Sequence, residues 1–202
     1  MNGPQLVAYF EKLKTIRQYL EAHIRKCYQH SYPLRGVLFG QSSSILPEQV
    51  AAQANQYQAN LYDPTATEGC HILASTLLSG MTPPNVRWFG LGAGDDADAD
   101  TKKFLDELSE EVYTGIHSSN FDAPGVEAML DSTIAGYAAL YIEPGDDADF
   151  MFDAWPLANC WFASTRKDGE IDTGVRLYNL TAQQAVEEFG LNDCPKDIRE
   201  NY

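Results

Sequence analysis

The residues best supplied for chemistry are the carboxylates of GAGDDADADTKKFLDE, residues 92–107. A calcium-binding EF-hand loop draws its oxygen ligands from fixed positions that include 1, 3, 5 and 12, with glycine at position 6 for a sharp turn. Asp96, Asp98 and Asp100 match positions 1, 3 and 5, and Glu107 falls at position 12. Position 6 is Thr101, and position 8, normally apolar, is Lys103. The chain also enters a helix near Thr101. The competing reading is an acidic loop that feeds a helix N-terminus, where negative charge complements the helix dipole. The two departures favour it, so the loop 95–107 is kept as a possible cation site and no metal ligand is assigned.

Other chemistry finds little support. The four histidines (His23, His30, His71, His117) are isolated in sequence. His71 adjoins Cys70, but neighbouring helical residues point about 100° apart, which aims a Cys–His nucleophile pair badly. GLGAGDD at 90–96 is glycine-rich yet runs into acid, which repels phosphate. The chain has no G-x-S-x-G, no Walker-type phosphate loop, no H-E-x-x-H and no G-x-G-x-x-G after a strand. Runs such as Asp146, Asp147 and Asp149 read as solvated acid. Neither catalytic nor cofactor-binding residues are assigned, and no enzyme is expected.

Charge sharpens this. The 202-residue chain has a net charge of −15, unevenly spread. Residues 1–36 carry Lys12, Lys14, Arg17, Arg25, Lys26 and Arg35 against Glu11 and Glu21, a net of +4. The rest carries eight basic and 27 acidic residues, a net of −19. Such a body does not clamp nucleic acid by neutralising phosphates. It suits solubility, a basic partner, or a surface to which DNA should not stick. With 44% hydrophobic residues the chain can bury a core. No apolar run approaches the roughly 20 residues of a membrane span, and MNGPQLVAYFEKLK lacks a secretory pattern. Cys27, Cys70, Cys160 and Cys194 are scattered without C-x-x-C and read as free thiols of a reducing cytoplasm.

The element around which the chain is organised is LYDPTATEGCHILASTLLSGMTPPNVRWFGL, residues 61–91. Asp63 is a good N-cap with Pro64 at the first helical position, while Thr65 with Glu68 offers a competing capping box. Cys70, Leu73, Ala74, Leu77, Leu78 and Met81 share one face and predict a buried helix. Gly80 and Pro83–Pro84 end it, and Trp88 and Phe89 follow as apolar anchors. Before it, residues 4–30 form a long amphipathic helix striped by Leu6, Phe10, Leu13, Ile16, Leu20, Ile24 and Cys27. That helix packs either on its own domain or, as an arm, on a neighbouring subunit. A connector from Ser31 to Ser44 leads to a Gln- and Asn-rich helix opened by Pro47, with Ser44 a candidate cap, which fits a surface partly covered by another chain.

After the acidic loop, Phe104, Leu105, Leu108, Val112 and Ile116 predict a helix ending near His117–Asn120, and Phe121 fills the core. Pro124 opens a helix that buries Val126, Met129, Leu130 and Ile134 and ends at Gly136. The chain is then β: a strand over Tyr137–Glu143, a second anchored by Phe150, Phe152 and Trp155, and a hairpin of Cys160–Thr165 with Glu170–Tyr178 across Asp168–Gly169. In its second strand Val175 and Leu177 face the cover and Arg176 and Tyr178 the solvent. Thr181 with Gln184 caps a short helix carrying Val186 and Phe189, closed by Gly190. LNDCPKDIRENY then leads towards further structure.

The run at 61–91 resembles the head-to-tail connector, or portal, proteins of short-tailed bacteriophages. In that family a YD-x-T helix start leads through a small, apolar helix to TPP…WF-x-L. SSNF at 118–121, the Gly136–Tyr141 run, WPL at 155–157 and the hairpin DGEIDTGVRLYNLT before QQAVEEFG agree in order and spacing. The resemblance implies a non-enzymatic virion protein at a capsid vertex, made in the bacterial host cytoplasm. It implies a ring, commonly of twelve subunits, through which a separate terminase pumps DNA and to which the tail attaches. Capsid and tail proteins, terminase and other portal subunits would be the partners; DNA would pass through without sequence-specific binding, and no membrane is involved. Family members are much longer, so this chain corresponds to the N-terminal wing portion alone, as a fragment or a truncated prophage product.

The expected architecture is α+β: an N-terminal helical part of about five helices, then a small antiparallel sheet and a short C-terminal helix. Residues 1–36 form the helix or arm, and 37–202 a wing-like domain truncated at its C-terminal end. The rival function is an acidic adaptor or regulatory protein-binding module that docks through its basic first helix.

Overall fold

The computed structural model describes residues 3–39, 47–59, 61–94, 97–145 and 148–200. The fold is α+β. Helices α1 (Gly3–Ser31), α2 (Pro33–Gly36), α3 (Pro47–Ala59), α4 (Thr65–Met81), α5 (Ala99–Ser118) and α6 (Asp122–Ala135) precede the strands. Strands β1 (Leu140–Pro144) and β2 (Phe150–Ala154) pair antiparallel, with Ile142 opposite Phe152. After one 3-10 turn at Leu157–Asn159, β3 (Cys160–Ala163) pairs antiparallel with β4 (Thr173–Arg176), Trp161 opposite Val175. Helices α7 (Ala182–Phe189) and α8 (Lys196–Glu200) follow. The single small sheet expected from sequence is two separate two-stranded sheets.

The core forms where α1 crosses the end of α6 and the start of β3. Ile24, Tyr28, Phe39, Ala139, Leu157, Ala158 and Cys160 pack as one cluster. Tyr28 and Phe39 are each 1% exposed, with ring centroids 5.2 Å apart. Burying side chains of this size contributes roughly 1.5–3 kcal/mol each. Phe39 belongs to the stretch expected to be a mere connector. It and Val37 are among the most buried residues described. Ser44, the expected cap of α3, lies outside the described residues.

The central helix is less buried than its sequence predicts. Only Ala74 on its apolar face is buried, while Leu73 and Met81 are exposed. Its start matches neither expectation: Pro64 is the N-cap, no Thr65–Glu68 capping box forms, and Asp63 accepts from the Thr65 N–H at 2.9 Å just before the helix. Trp88 is partly exposed and leans edge-on against Phe89 at 4.8 Å, so the pair anchors less than expected. The TPP exit is an extended strap along α5. Tyr113 Oη donates to the Pro84 carbonyl at 2.6 Å, and the Leu91 N–H donates to Ser109 Oγ at 2.8 Å.

Helix α5 starts at Ala99, two residues before the expected Thr101, because the Asp98 carboxylate caps it by accepting from the Thr101 N–H at 3.0 Å. At the SSNF turn, Phe121 is buried against Phe152. Asn120 brackets the Phe152 backbone, donating to its carbonyl and accepting from its N–H, both at 2.8 Å. Helix α6 starts at Asp122 rather than Pro124, and of its expected core residues Leu130 is the one fully buried. It ends at Gly136, as the sequence predicts, with φ of 83°. The Thr181–Gln184 capping box of α7 is present, though Ala185 and not Phe189 is the residue it buries.

Gly136 has open space where a Cβ would stand, so a substitution there tests backbone conformation alone. Gly136→Ala is expected to lower stability by about 1–2 kcal/mol, the steric cost of a left-handed L-residue. A urea unfolding midpoint compared with that of the unsubstituted chain checks it.

Candidate functional site

Two arginines organise the inner face of α1. The first is Arg17, which the helical stripe read from sequence did not include. That stripe placed Leu6, Ile16 and Leu20 inward; the structure exposes all three, buries Leu13 and Ile24 as expected, and adds Arg17 and Tyr28 to the inner face. The rotation has a physical reason. Arg17 Nη1 donates to the Cys160 carbonyl, which gives the buried cation an acceptor. Its guanidinium lies 4.9 Å from the Trp161 ring and 5.4 Å from Phe39, in cation–π range. Phe10 closes the clasp edge-on against Trp161 at 4.8 Å.

The second is Arg35 on α2. Its Nη1 pairs with Asp131 of α6, and its Nη2 with Glu127. Tyr28 Oη donates to the other oxygen of Asp131 at 2.7 Å. Three helices thus meet at one buried carboxylate. Burial pushes the Asp131 carboxyl up from its ordinary value, opposed by Arg35 and the Tyr28 hydroxyl. Burial, and then the Asp131 charge, push the Tyr28 hydroxyl up. Burial works against the Arg35 cation too, but Asp131 and Glu127 outweigh it and raise its pKa.

Outside these contacts lies an open cleft of about 1310 Å³ between α1, α2, α3 and the second hairpin, bordered by Lys14, Gln18, Leu34, Val50, Asn159 and Tyr178. Its polar border mixes the cations Lys14 and Arg35 with the carboxylates of Glu11, Glu21 and Glu127, amides and hydroxyls. At the outer hairpin, Arg176 stacks 4.6 Å from Trp155 and pairs with Asp153 at 3.0 Å. Arg176 is therefore half-buried while Leu177 is exposed, which reverses the facing expected for that strand.

The sequence-predicted chemistry does not converge. Asp96 lies outside the described residues. Asp98 is an N-cap, and Asp100 and Glu107 lie on one helix, about 10 Å apart along its axis. Glu107 pairs instead with Lys103 at 3.6 Å. Among the described residues no group of three His, Cys, Asp or Glu side chains is arranged to hold a metal. His71 faces the Tyr32 ring at 6.0 Å, and His117 sits between Tyr113 and Phe121. His23 Nε2 is 3.9 Å from the Cys27 thiol. All four cysteines are free. Among the described residues no helix is long and apolar enough to cross a membrane.

What the molecule does present is surface. Leu6, Val7, Ile16, Tyr19 and Leu20 of α1 are exposed, as are Ile72, Leu73 and Met81 of α4 and Phe104 of α5. Large apolar side chains in such number mark faces that other chains cover. The described residues thus offer apolar faces for contact.

Comparison with known proteins agrees. The family described as "Bacteriophage head to tail connecting protein" matches residues 4–202, and the chain belongs to it. The portal protein of Salmonella phage epsilon15 is 27% identical over 144 residues, covering 69% of this chain and 25% of the relative. The probable portal protein of Bordetella phage BPP-1 is 23% identical over 198 residues, covering 96% of this chain and 34% of the relative. The chain thus spans a quarter to a third of the length of these relatives.

Asp131→Ala leaves Arg35 and Tyr28 buried without their shared acceptor. It is expected to cost roughly 3–5 kcal/mol, the usual cost of orphaning a buried charge, with Asp131→Asn milder. Chemical denaturation of both variants checks the order. The thiols supply a second expectation. Burial pushes the Cys160 thiol up to about 11, and Cys194 is buried as well. Cys27 and Cys70 should therefore react with a thiol reagent well before Cys160 and Cys194, and all four together once urea unfolds the chain.

Proposed function

We propose that this chain is the N-terminal, wing part of a phage portal, a structural virion protein at the capsid vertex through which DNA is packaged and ejected. The observation that carries this reading is the family match, which runs over nearly the whole chain. The names of both relatives support it.

On this reading the part does no covalent chemistry. Residues 1–36 supply a long helix whose outer face serves as a subunit arm, and 37–202 supply the wing. The full protein assembles as a ring, of twelve subunits as the resemblance implies. It meets capsid and tail proteins and a terminase through segments that include parts beyond this one. The net charge of −15 keeps DNA from adhering as it passes. The adaptor alternative gains no observation of its own.

An antibody raised against this chain tests the reading on particles made by the host that carries it. Labelling of a single vertex, at the site of tail attachment, is expected. Labelling over the whole capsid, or of no particle, overturns it.

A further inference from the structure

The outer face of α1 carries a second stripe, separate from the one that packs inward. Lys12, Ile16, Tyr19, His23, Lys26 and His30 are spaced by four and three residues alternately, which places them along one line of the helix. All six are exposed; Ile16 is 70% and Tyr19 91% accessible. The stripe carries two lysines and no acid, because Glu11 and Glu21 lie on other sides of the helix.

Helix α5 carries the same spacing with the opposite net charge, Lys103 beside it pairing with Glu107 at 3.6 Å. Asp100, Phe104, Glu107, Glu111, Thr114 and Ser118 repeat the alternation of four and three, and all six are exposed. Phe104 is 61% accessible and stands where Ile16 stands in the other stripe. The strap at 83–91 and the Arg87 pairs with Asp106 and Glu110 hold the other side of α5, so this side is open.

We propose that these two stripes meet between copies of this chain: α1 of one subunit lies along α5 of the next, with Ile16 against Phe104. With the helices parallel, Lys12 then faces Asp100; with them antiparallel, it faces the region of Glu107. In either case the apolar pair has a lysine opposite an acid one turn away, a contact that favours one partner and register in helix pairs. The two patches differ and lie on the same subunit, so the contact is head-to-tail and repeats around a ring or along a filament. This inference rests on the portal reading and names the surfaces by which one wing meets its neighbour.

Paired variants, each with one exposed cysteine, test it; Cys160 and Cys194 stay buried. Ile16→Cys and Phe104→Cys are made separately in a background of Cys27→Ser and Cys70→Ser, one of them with a mass tag, then mixed and oxidised. A mixed disulfide dimer is expected, far exceeding either preparation alone. Adding Asp100→Lys, Glu107→Lys and Glu111→Lys to the Phe104→Cys chain should reduce its yield about tenfold, and Lys12→Glu with Lys26→Glu on the other chain should restore it in either orientation. Raising salt to about 0.5 M should weaken the original pair, since exposed charges are screened. Circular dichroism of each chain confirms that the helices persist; all the changed positions in α1 and α5 are exposed. No mixed dimer, a dominant Ile16→Cys self-dimer, or a yield indifferent to both charge reversals overturns the proposal. If the antibody labels one vertex while the disulfide fails, the portal reading survives and its subunit contact lies elsewhere.

Discussion

The fold depends on one buried carboxylate. Asp131 sits 1% exposed on α6 and accepts from Tyr28 of α1 and Arg35 of α2. Each partner is near the core it helps to close: Tyr28 packs on Phe39, and α2 begins the turn that delivers Val37 and Phe39 inward. A bare aspartate at this depth would be costly, and so would a bare arginine. Together they fix how three helices sit at the point where the apolar cluster forms. Apolar packing alone tolerates rotation and sliding of helices; a shared acceptor with two directional donors does not. Arg17 repeats the device nearby, with a carbonyl, two aromatic faces and a looser ion pair to Glu21 at 4.0 Å.

This explains what was legible in the sequence and what was not. Local signals read well. Gly136, the Thr181–Gln184 capping box and the Asp168–Gly169 turn are settled by residues within a few positions of one another. Helix types and their order followed from periodicity. Tertiary choices read poorly. Periodicity placed Ile16 and Leu20 inward on α1, yet Arg17 took the inner position because Cys160, 143 residues away, offers it a carbonyl. The same limit hid Phe39. Its neighbours are glycines and serines, the mark of a connector, and nothing local says that α1 and α6 leave a space of its shape. The Val37-Leu38-Phe39 trio was the available signal. The acidic loop was legible as a helix start, because Asp98 and Thr101 are three residues apart.

The central helix teaches a different lesson. Its apolar face was read correctly as a face and wrongly as a buried one. In the single chain that face covers Ala74 and leaves Leu73 and Met81 open. An apolar stripe reports that something covers a helix, and the sequence does not say whether the cover belongs to the same molecule. The chain spans a quarter to a third of the length of the relatives it matches, and on the portal reading the cover comes from elsewhere in the assembly.

Charge helps to separate these sources. A helix destined for the interior of its own domain has no reason to sort its charges by sign on its outer face. Helix α1 does so, with both acids away from the outer stripe; α5 does so only in part, with three acids on its stripe and Lys103 beside them paired to Glu107. The sorting is superimposed on a chain whose net charge of −15 would otherwise make copies repel one another. A basic first helix is then the part of an acidic subunit that a second copy can approach.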